Sequence, residues 1–328
     1  MSDIRIVRMS ETSVTPGELA DLFNATFGEY EGMVPATAET MAWYIRRPGL
    51  GEGHSFLALA GQELAASTFV TAARVVFGGE TVACGIIDSV MTRPRWRRRG
   101  IATALLERAV DEMRREGLGA SLLYTLEGSG GHRIYSRLGY RERAVAHYYH
   151  ADAVPAAPPE PGLRPARPDE EEAVRARLNA WLGGCDGYVP LDDALWRWRR
   201  RERPRIMPST LFVLDAPDGI AGTGALCATR VSIGNQPVDL AIFTDVAGAD
   251  AAAQRRVLYG LLERVPPGYG VGLLAGSHDP VLPALAAQLG MARYEEVAMT
   301  LALTAAGEAA LSRPPRGWYT LGESLIGV

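Results

Sequence analysis

Four arginines, Arg95, Arg97, Arg98 and Arg99, precede Gly100 by five residues or fewer, and the segments on either side would hold an anion between them. The stretch Cys84–Thr92 is apolar and rich in β-branched side chains, which fits a buried strand. After Gly100, apolar residues fall at Ile101, Ala102, Leu105, Leu106, Ala109, Val110 and Met113, the spacing of an amphipathic helix. The turn between them leaves backbone N–H groups at a helix N-terminus, where the macrodipole is positive, and Gly100 admits an anion close to the backbone. Cations in that position oppose the dipole unless an anion joins them, so a pyrophosphate is the expected occupant.

Other phosphate signatures are excluded. All 34 basic residues are arginine, so a Gly-Lys-Ser/Thr phosphate loop cannot exist, and no Gly-x-Gly-x-x-Gly follows a strand. What remains is Arg97-x-x-Gly100-x-Ala102. A second segment follows: Leu122–Leu126 reads as a strand, Gly128–Gly131 as a glycine-rich turn, and Ile134-Tyr-Ser-Arg-Leu-Gly-Tyr140 as a short helix with its exit.

Together these two segments resemble the GCN5-related N-acetyltransferase (GNAT) superfamily, whose coenzyme A loop reads Arg/Gln-x-x-Gly-x-Gly/Ala after a central strand. The string Ile-Tyr-x-Arg-x-Gly-Tyr, with Arg-Arg-Arg-Gly upstream, looks most like the enhanced-intracellular-survival branch. The resemblance implies acetyl-CoA, or another acyl-CoA, as co-substrate, held by Arg97, Arg98, Arg99, Gly100, Ile101, Ala102 and Thr103. It implies Tyr135 as the acid that protonates the leaving thiolate. Many members carry an Asn on the turn before the catalytic helix; here the contact would come from backbone near Gly131. Acyl transfer to an amine also needs N–H groups for the thioester oxygen, expected from Val90, Met91 and Thr92 on a splayed strand. It needs a base for the amine proton. Asp88 comes first, on the same strand face as Val90 and Thr92 by period two; it reads equally as a buried carboxylate paired with an arginine. Glu127 and His132 follow.

Composition is ordinary for a globular protein: 328 residues, 47% hydrophobic, 22% charged. A net charge of −4 gives no reason to expect nucleic acid or a membrane as partner. No apolar run reaches the roughly 18 residues of a membrane span, and Met1–Arg5 lacks the basic and apolar regions of a leader, so a cytoplasmic protein is expected. Cys84, Cys185 and Cys227 are too scattered for a metal cluster or disulfides, and no metal is expected.

The chain reads as a tandem duplication. Residues 1–150 form the catalytic domain, and 151–162, with four prolines, a linker. Residues 163–304 repeat the pattern of helix, strands and helix in degenerate form, and 305–328 form a tail whose Trp318 and Tyr319 suggest docking. The fold class is α/β (α+β), each unit a mixed, largely antiparallel sheet flanked by helices. Aligning Leu105–Arg108 with Leu261–Arg264 puts Ala253 opposite Arg97, Arg256 opposite Gly100, and Ala286 at the place of Tyr135. The second half is therefore expected not to bind acetyl-CoA but to wall the acceptor site or hold a homo-oligomer together. The enhanced-intracellular-survival branch has a third domain, which the about 25 residues after the second unit are too few to form.

Glu29 and Glu31, before Trp43 and Tyr44, read either as attracting a cationic amine or as solvated loop acids, and Trp196–Arg205 either as an amphipathic helix with Trp196 inward and arginines outward or as an anion or partner surface. The expected function is N-acetyl transfer to a small-molecule, antibiotic or peptide amine; the alternative is a non-catalytic acyl-CoA-binding or scaffold protein.

Overall fold

The computed structural model describes residues 4–28, 33–50, 53–217, 219–233, 236–277 and 279–319. Glu29 and Glu31, and residues 320–328 of the expected tail, lie outside them. Along the chain run β1 (Ile4–Arg8), α1 (Pro16–Phe27), α2 (Ala38–Tyr44), β2 (Phe56–Ala60), β3 (Glu63–Phe77), β4 (Glu80–Thr92), α3 (Ile101–Arg115), β5 (Ala120–Thr125), α4 (Gly130–Arg137) and β6 (Arg141–Ala151). Then follow β7 (Leu163–Pro165), α5 (Glu171–Leu182), α6 (Asp193–Arg200), β8 (Ser209–Ala216), β9 (Gly219–Ile233) and β10 (Gln236–Gly248). The last elements are α7 (Ala251–Leu262), β11 (Gly270–Gly276), α8 (Leu282–Gln288), β12 (Ala292–Ala302) and α9 (Ala305–Leu311).

The chain divides into two compact units. One comprises Met1–Arg143, Ser232–Asn235 and Val297–Pro314; the other Ala144–Val231, Gln236–Glu296 and Pro315–Val328. Each unit therefore completes its sheet with a strand from the other half of the sequence. In the first, β1 to β4 pair antiparallel in order, β5 lies parallel to β4, and the Val297–Ala302 part of β12 pairs antiparallel with β5. In the second, the order is β6-β11-β10-β9-β8-β7, with β10 and β11 parallel and β6 antiparallel to β11. α9, expected within a tail, belongs to the first unit, where Gly307 lies directly against the Gly119 backbone.

The apolar stripe after Gly100 does what its spacing predicts. Leu105, Leu106, Ala109, Val110 and Met113 of α3 are all buried against β2, β3 and β4. Met113 reaches β4 because Gly85 has no Cβ, which would stand 2.0 Å from the Met113 sulfur. In the second unit, Val257, Leu258, Leu261 and Leu262 of α7 pack with Phe212, Phe243 and Leu273 of the sheet.

The two units repeat each other element by element. β3 and β9 both have 15 residues, and β4 and β10 both have 13. Each second strand carries one non-glycine residue in the left-handed region, Ser89 (φ 48°) and Asp245 (φ 53°), three residues before its end. The Tyr140 N–H donates to Tyr135 O at 3.0 Å, and the Met291 N–H donates to Ala286 O at 3.0 Å, so Ala286 stands where Tyr135 does. The units differ in the connection after that strand: residues 93–100 lead from β4 to α3, whereas only Ala249 and Asp250 lead from β10 to α7.

Candidate active site

At the end of β4 two local features open the sheet. The first is a bulge: Ser67 pairs with Met91 and Phe69 with Asp88, so Ser89 and Val90 together face the single residue Thr68. The second is a divergence, because the parallel ladder with β5 covers only Cys84–Ile86, after which β5 continues to Thr125 beside β12. The end of β4 thus loses its neighbour on one side.

Strand geometry says which amides face the gap. The Arg93 N–H donates to Ala65 O of β3 at 2.9 Å. Two residues earlier, the Met91 N–H faces the same way, so the Thr92 N–H between them faces the side that β5 has left. Met91 is fully buried in the pairing with Ser67 and aims no amide at the gap, contrary to the sequence expectation. The bulge also interrupts the period-two assignment of Asp88, Val90 and Thr92 to one face.

The anion cradle stands next along the chain. α3 begins with Gly100 as N-cap at φ 76°, and its hydrogen-bonding ladder begins with the Ala104 N–H on Gly100 O at 3.0 Å. The amides of Ile101, Ala102 and Thr103 precede that ladder, and a glycine brings no side chain to cap them. A Cβ built on Gly100 would meet nothing within 4 Å, so the glycine serves its left-handed backbone and the open approach to these amides. Arg98 is also left-handed, at φ 61°, which costs an arginine about 1–2 kcal/mol. Arg98 and Arg99 are exposed, and the Arg99 guanidinium stacks on Trp96 at 4.7 Å from the ring centre.

Arg97 is used differently from the expectation. Its Nε donates to Thr92 O at 3.2 Å and its Nη2 to Thr26 O at 3.2 Å, tying the end of β4 to the end of α1. Arg95 pairs with Glu63, which also accepts from the indole of Trp96. Two of the four arginines thus build the loop, and Arg98 and Arg99 extend its charge outward.

Tyr135 lies on α4 with 7% of its surface exposed, its ring 6.1 Å from that of Tyr140 in an edge arrangement. Gly131 permits this, since a Cβ there would stand 3.1 Å from the Tyr135 ring and 3.2 Å from Thr125 Oγ1. The α4 N-terminus is capped internally by Ser129, whose Oγ accepts from the His132 N–H at 3.0 Å. Tyr140 is pinned below: its hydroxyl donates to Ser121 Oγ at 2.8 Å, Ser121 donates to Gly85 O at 2.8 Å, and burial pushes the Tyr140 phenol up.

The three candidate bases occupy different settings. Asp88 forms an ion pair with Arg47 at 2.5 Å, both side chains 7% exposed, and the Arg47 guanidinium stacks on the Tyr44 ring at 4.7 Å. Tyr44 is fully buried, and that burial pushes its phenol up. His132 Nε2 lies 2.8 Å from Glu142 at the start of β6. Glu127 is exposed in the turn after β5. The Arg47 pairing was open to sequence reasoning only as a generic alternative, because 41 residues separate the partners.

In the second unit, the corresponding places are filled by the protein itself. Asp250 N-caps α7, its Oδ1 accepting from the Ala253 N–H at 2.8 Å, so Gly100 corresponds to Asp250. The alignment through Leu261–Arg264 is thereby corrected: it forced the helices into register although the connection before α7 is six residues shorter. At the left-handed position of β10, Asp245 is held by Arg199 at 3.0 and 3.1 Å, by Arg200, and by the Tyr319 hydroxyl at 2.5 Å. Burial alone would raise this carboxyl, but the two guanidinium charges and the Tyr319 hydroxyl hold it at about 2. α6 accordingly turns Trp196, Trp198 and Arg199 inward, so its arginines do not all face water as the sequence suggested. The tail docks here too: the Tyr319 N–H donates to Asp186 O at 2.9 Å, and Trp318 is 3% exposed against Gly276.

Residues 13–143 match the family model described as an acetyltransferase (GNAT) domain. No curated protein matches the chain. Among solved structures, it resembles an Enterococcus faecalis protein described as a probable N-acyltransferase, with 16% identity, a TM-score of 0.64, and coverage of 92% of this chain and 73% of that one. A GCN5-related N-acetyltransferase from Anabaena variabilis gives 15%, 0.65, 93% and 74%. Saccharomyces cerevisiae N-myristoyltransferase with bound myristoyl-CoA gives 10%, 0.71, 92% and 79%. At these identities the likeness is one of fold.

Proposed function

We propose that the protein is an acyl-CoA-dependent N-acetyltransferase whose working site lies in the first unit and whose acceptor is a primary amine of a small molecule, antibiotic or peptide. The observation that carries this reading is the uncapped N-terminus of α3, with left-handed Arg98 and Gly100, beside the opened end of β4. The residues fit the co-substrate. The amides of Ile101, Ala102 and Thr103 and the charges of Arg98 and Arg99 hold its pyrophosphate. The Val90 and Thr92 amides receive the thioester oxygen.

In the reaction, the acceptor nitrogen attacks the thioester carbonyl carbon, forming the N–C bond. The C–S bond then breaks, and Tyr135 donates its proton to the leaving thiolate. The proton lost by the amine goes to Asp88, Glu127 or His132, directly or through water. Of the three, His132 is the one whose ring a carboxylate orients, whereas Asp88 already serves Arg47.

The reading is tested by mixing the protein with acetyl-CoA and a panel of primary amines, aminoglycosides and peptides, and following thiol release. Amine-dependent release that falls about tenfold or more in Tyr135→Phe, with acetyl-CoA affinity unchanged, is the expected result. Binding of acetyl-CoA without release by any acceptor favours the non-catalytic alternative. Absence of acetyl-CoA binding overturns the cradle assignment.

A further inference from the structure

The β4 bulge is held by a side chain of the neighbouring strand. Ser67 of β3 is fully buried, and its hydroxyl donates to Ser89 O at 3.0 Å. Ser89 is the left-handed residue of the bulge, a conformation that a non-glycine residue keeps only when its surroundings impose it. The peptide joining Ser89 to Val90 is planar and trans, so its carbonyl and N–H point in opposite directions. Fixing Ser89 O towards Ser67 on β3 therefore fixes the Val90 N–H away from β3, on the side where pairing with β5 has ended.

We infer that Ser67 is a positioning residue that aims the Val90 N–H at the thioester oxygen by anchoring the opposite end of the same peptide. The inference rests on the acyl-CoA reading of the first unit. The second unit supplies an internal contrast. β9 and β3 match residue for residue, which puts Thr223 where Ser67 stands and Asp245 where Ser89 stands. The Thr223 hydroxyl donates instead to Phe212 O of β8 at 2.9 Å, and Asp245 is held through its carboxylate by Arg199, Arg200 and Tyr319. The left-handed residue recurs in the second unit, but there the hydroxyl at the place of Ser67 is turned to β8. That unit is also the one whose anion cradle is filled by Asp250.

The test uses the full chain and acetyl-CoA carrying 13C at the thioester carbonyl, whose infrared stretch reports hydrogen bonding to the oxygen without any acceptor. In the wild type, the bound band is expected to move to lower frequency than that of free acetyl-CoA. In Ser67→Ala, most of that displacement is lost, while the acetyl-CoA dissociation constant stays within about threefold because the α3 cradle is untouched. Ser67→Thr, which keeps the hydroxyl, retains the displacement. Once an acceptor is known, kcat for Ser67→Ala falls about tenfold with little change in KM for acetyl-CoA.

A wild-type displacement that persists in Ser67→Ala overturns the assignment, as does a bound wild-type band at the free frequency. Should circular dichroism show Ser67→Ala unfolded, Ser67→Cys decides, since a thiol is a weak donor: a reduced displacement supports the role, and a full one overturns it. If wild type binds no acetyl-CoA, the acyl-CoA reading itself fails, a result distinct from all of these.

Discussion

Gly100 and Asp250 occupy the same point of their units, each the N-cap of the helix that follows the strand with the left-handed residue, and they leave that helix in opposite states. The α3 amides are uncovered, whereas the α7 amides already have a carboxylate among them. One acetyl-CoA per chain is therefore expected by titration calorimetry. Gly100→Asp should weaken binding by tenfold or more, because a carboxylate then competes with the pyrophosphate. Asp250→Gly should add no second site, since α7 lacks the eight-residue connection that carries the arginines before α3.

Asp88→Asn leaves Arg47 buried without its counter-charge, a loss of about 3–5 kcal/mol that denaturant unfolding would record. Activity alone cannot then assign Asp88 as base. Replacing both partners, as in Arg47→Met with Asp88→Leu, should recover most of the stability. If that double variant also recovers turnover, Asp88 is structural and the proton goes elsewhere.

His132→Gln and Glu127→Gln divide the remaining possibilities through the pH dependence of kcat/KM. Removal of the group that takes the amine proton should lower kcat/KM by about 10²-fold and abolish the acidic limb of the profile. A variant that keeps the wild-type profile has lost only a bystander.

The Asp245 cluster predicts an acid sensitivity with a defined sign. Its folded carboxyl, held at about 2, lies below the unfolded value near 3.8, so the ionised form stabilises the fold at neutral pH. That contribution, about 2 kcal/mol, is fully present above the unfolded value and lost as pH falls from about 4 through 2. Acid unfolding of wild type and Tyr319→Phe should differ in that window. Trp318→Ala, which empties a buried site beside the cluster, should cost about 3–5 kcal/mol at neutral pH.

Local rules made much of the first unit legible. The apolar run before Thr92, the amphipathic spacing after Gly100 and the glycine turn before Tyr135 each encode their element within about ten residues, and all three elements form. What remained illegible depends on partners far apart in sequence. The pairing of Arg47 with Asp88, the use of Arg97 to hold α1, and the inward turn of Arg199 and Arg200 towards Asp245 leave no periodic trace. A bulge likewise adds one residue without changing composition, so period two placed Asp88 and Thr92 together across it. The inter-unit alignment failed for a related reason. Matching letters on two helices hid a shortened connection: the offset that relates Ser89 to Asp245 no longer holds past it, where the N-caps Gly100 and Asp250 correspond.

The pairing of Val297–Ala302 with β5 sets a timetable for making this protein. A ribosome releases the first unit's other strands by Arg143, then synthesises about 150 further residues before the missing strand emerges, roughly 10–30 s at ordinary elongation rates. Throughout that interval β5 offers an unpaired edge that any extended segment can occupy. The nascent chain is thus most exposed to misassembly while its own second half is being translated, and chaperone dependence should be concentrated there.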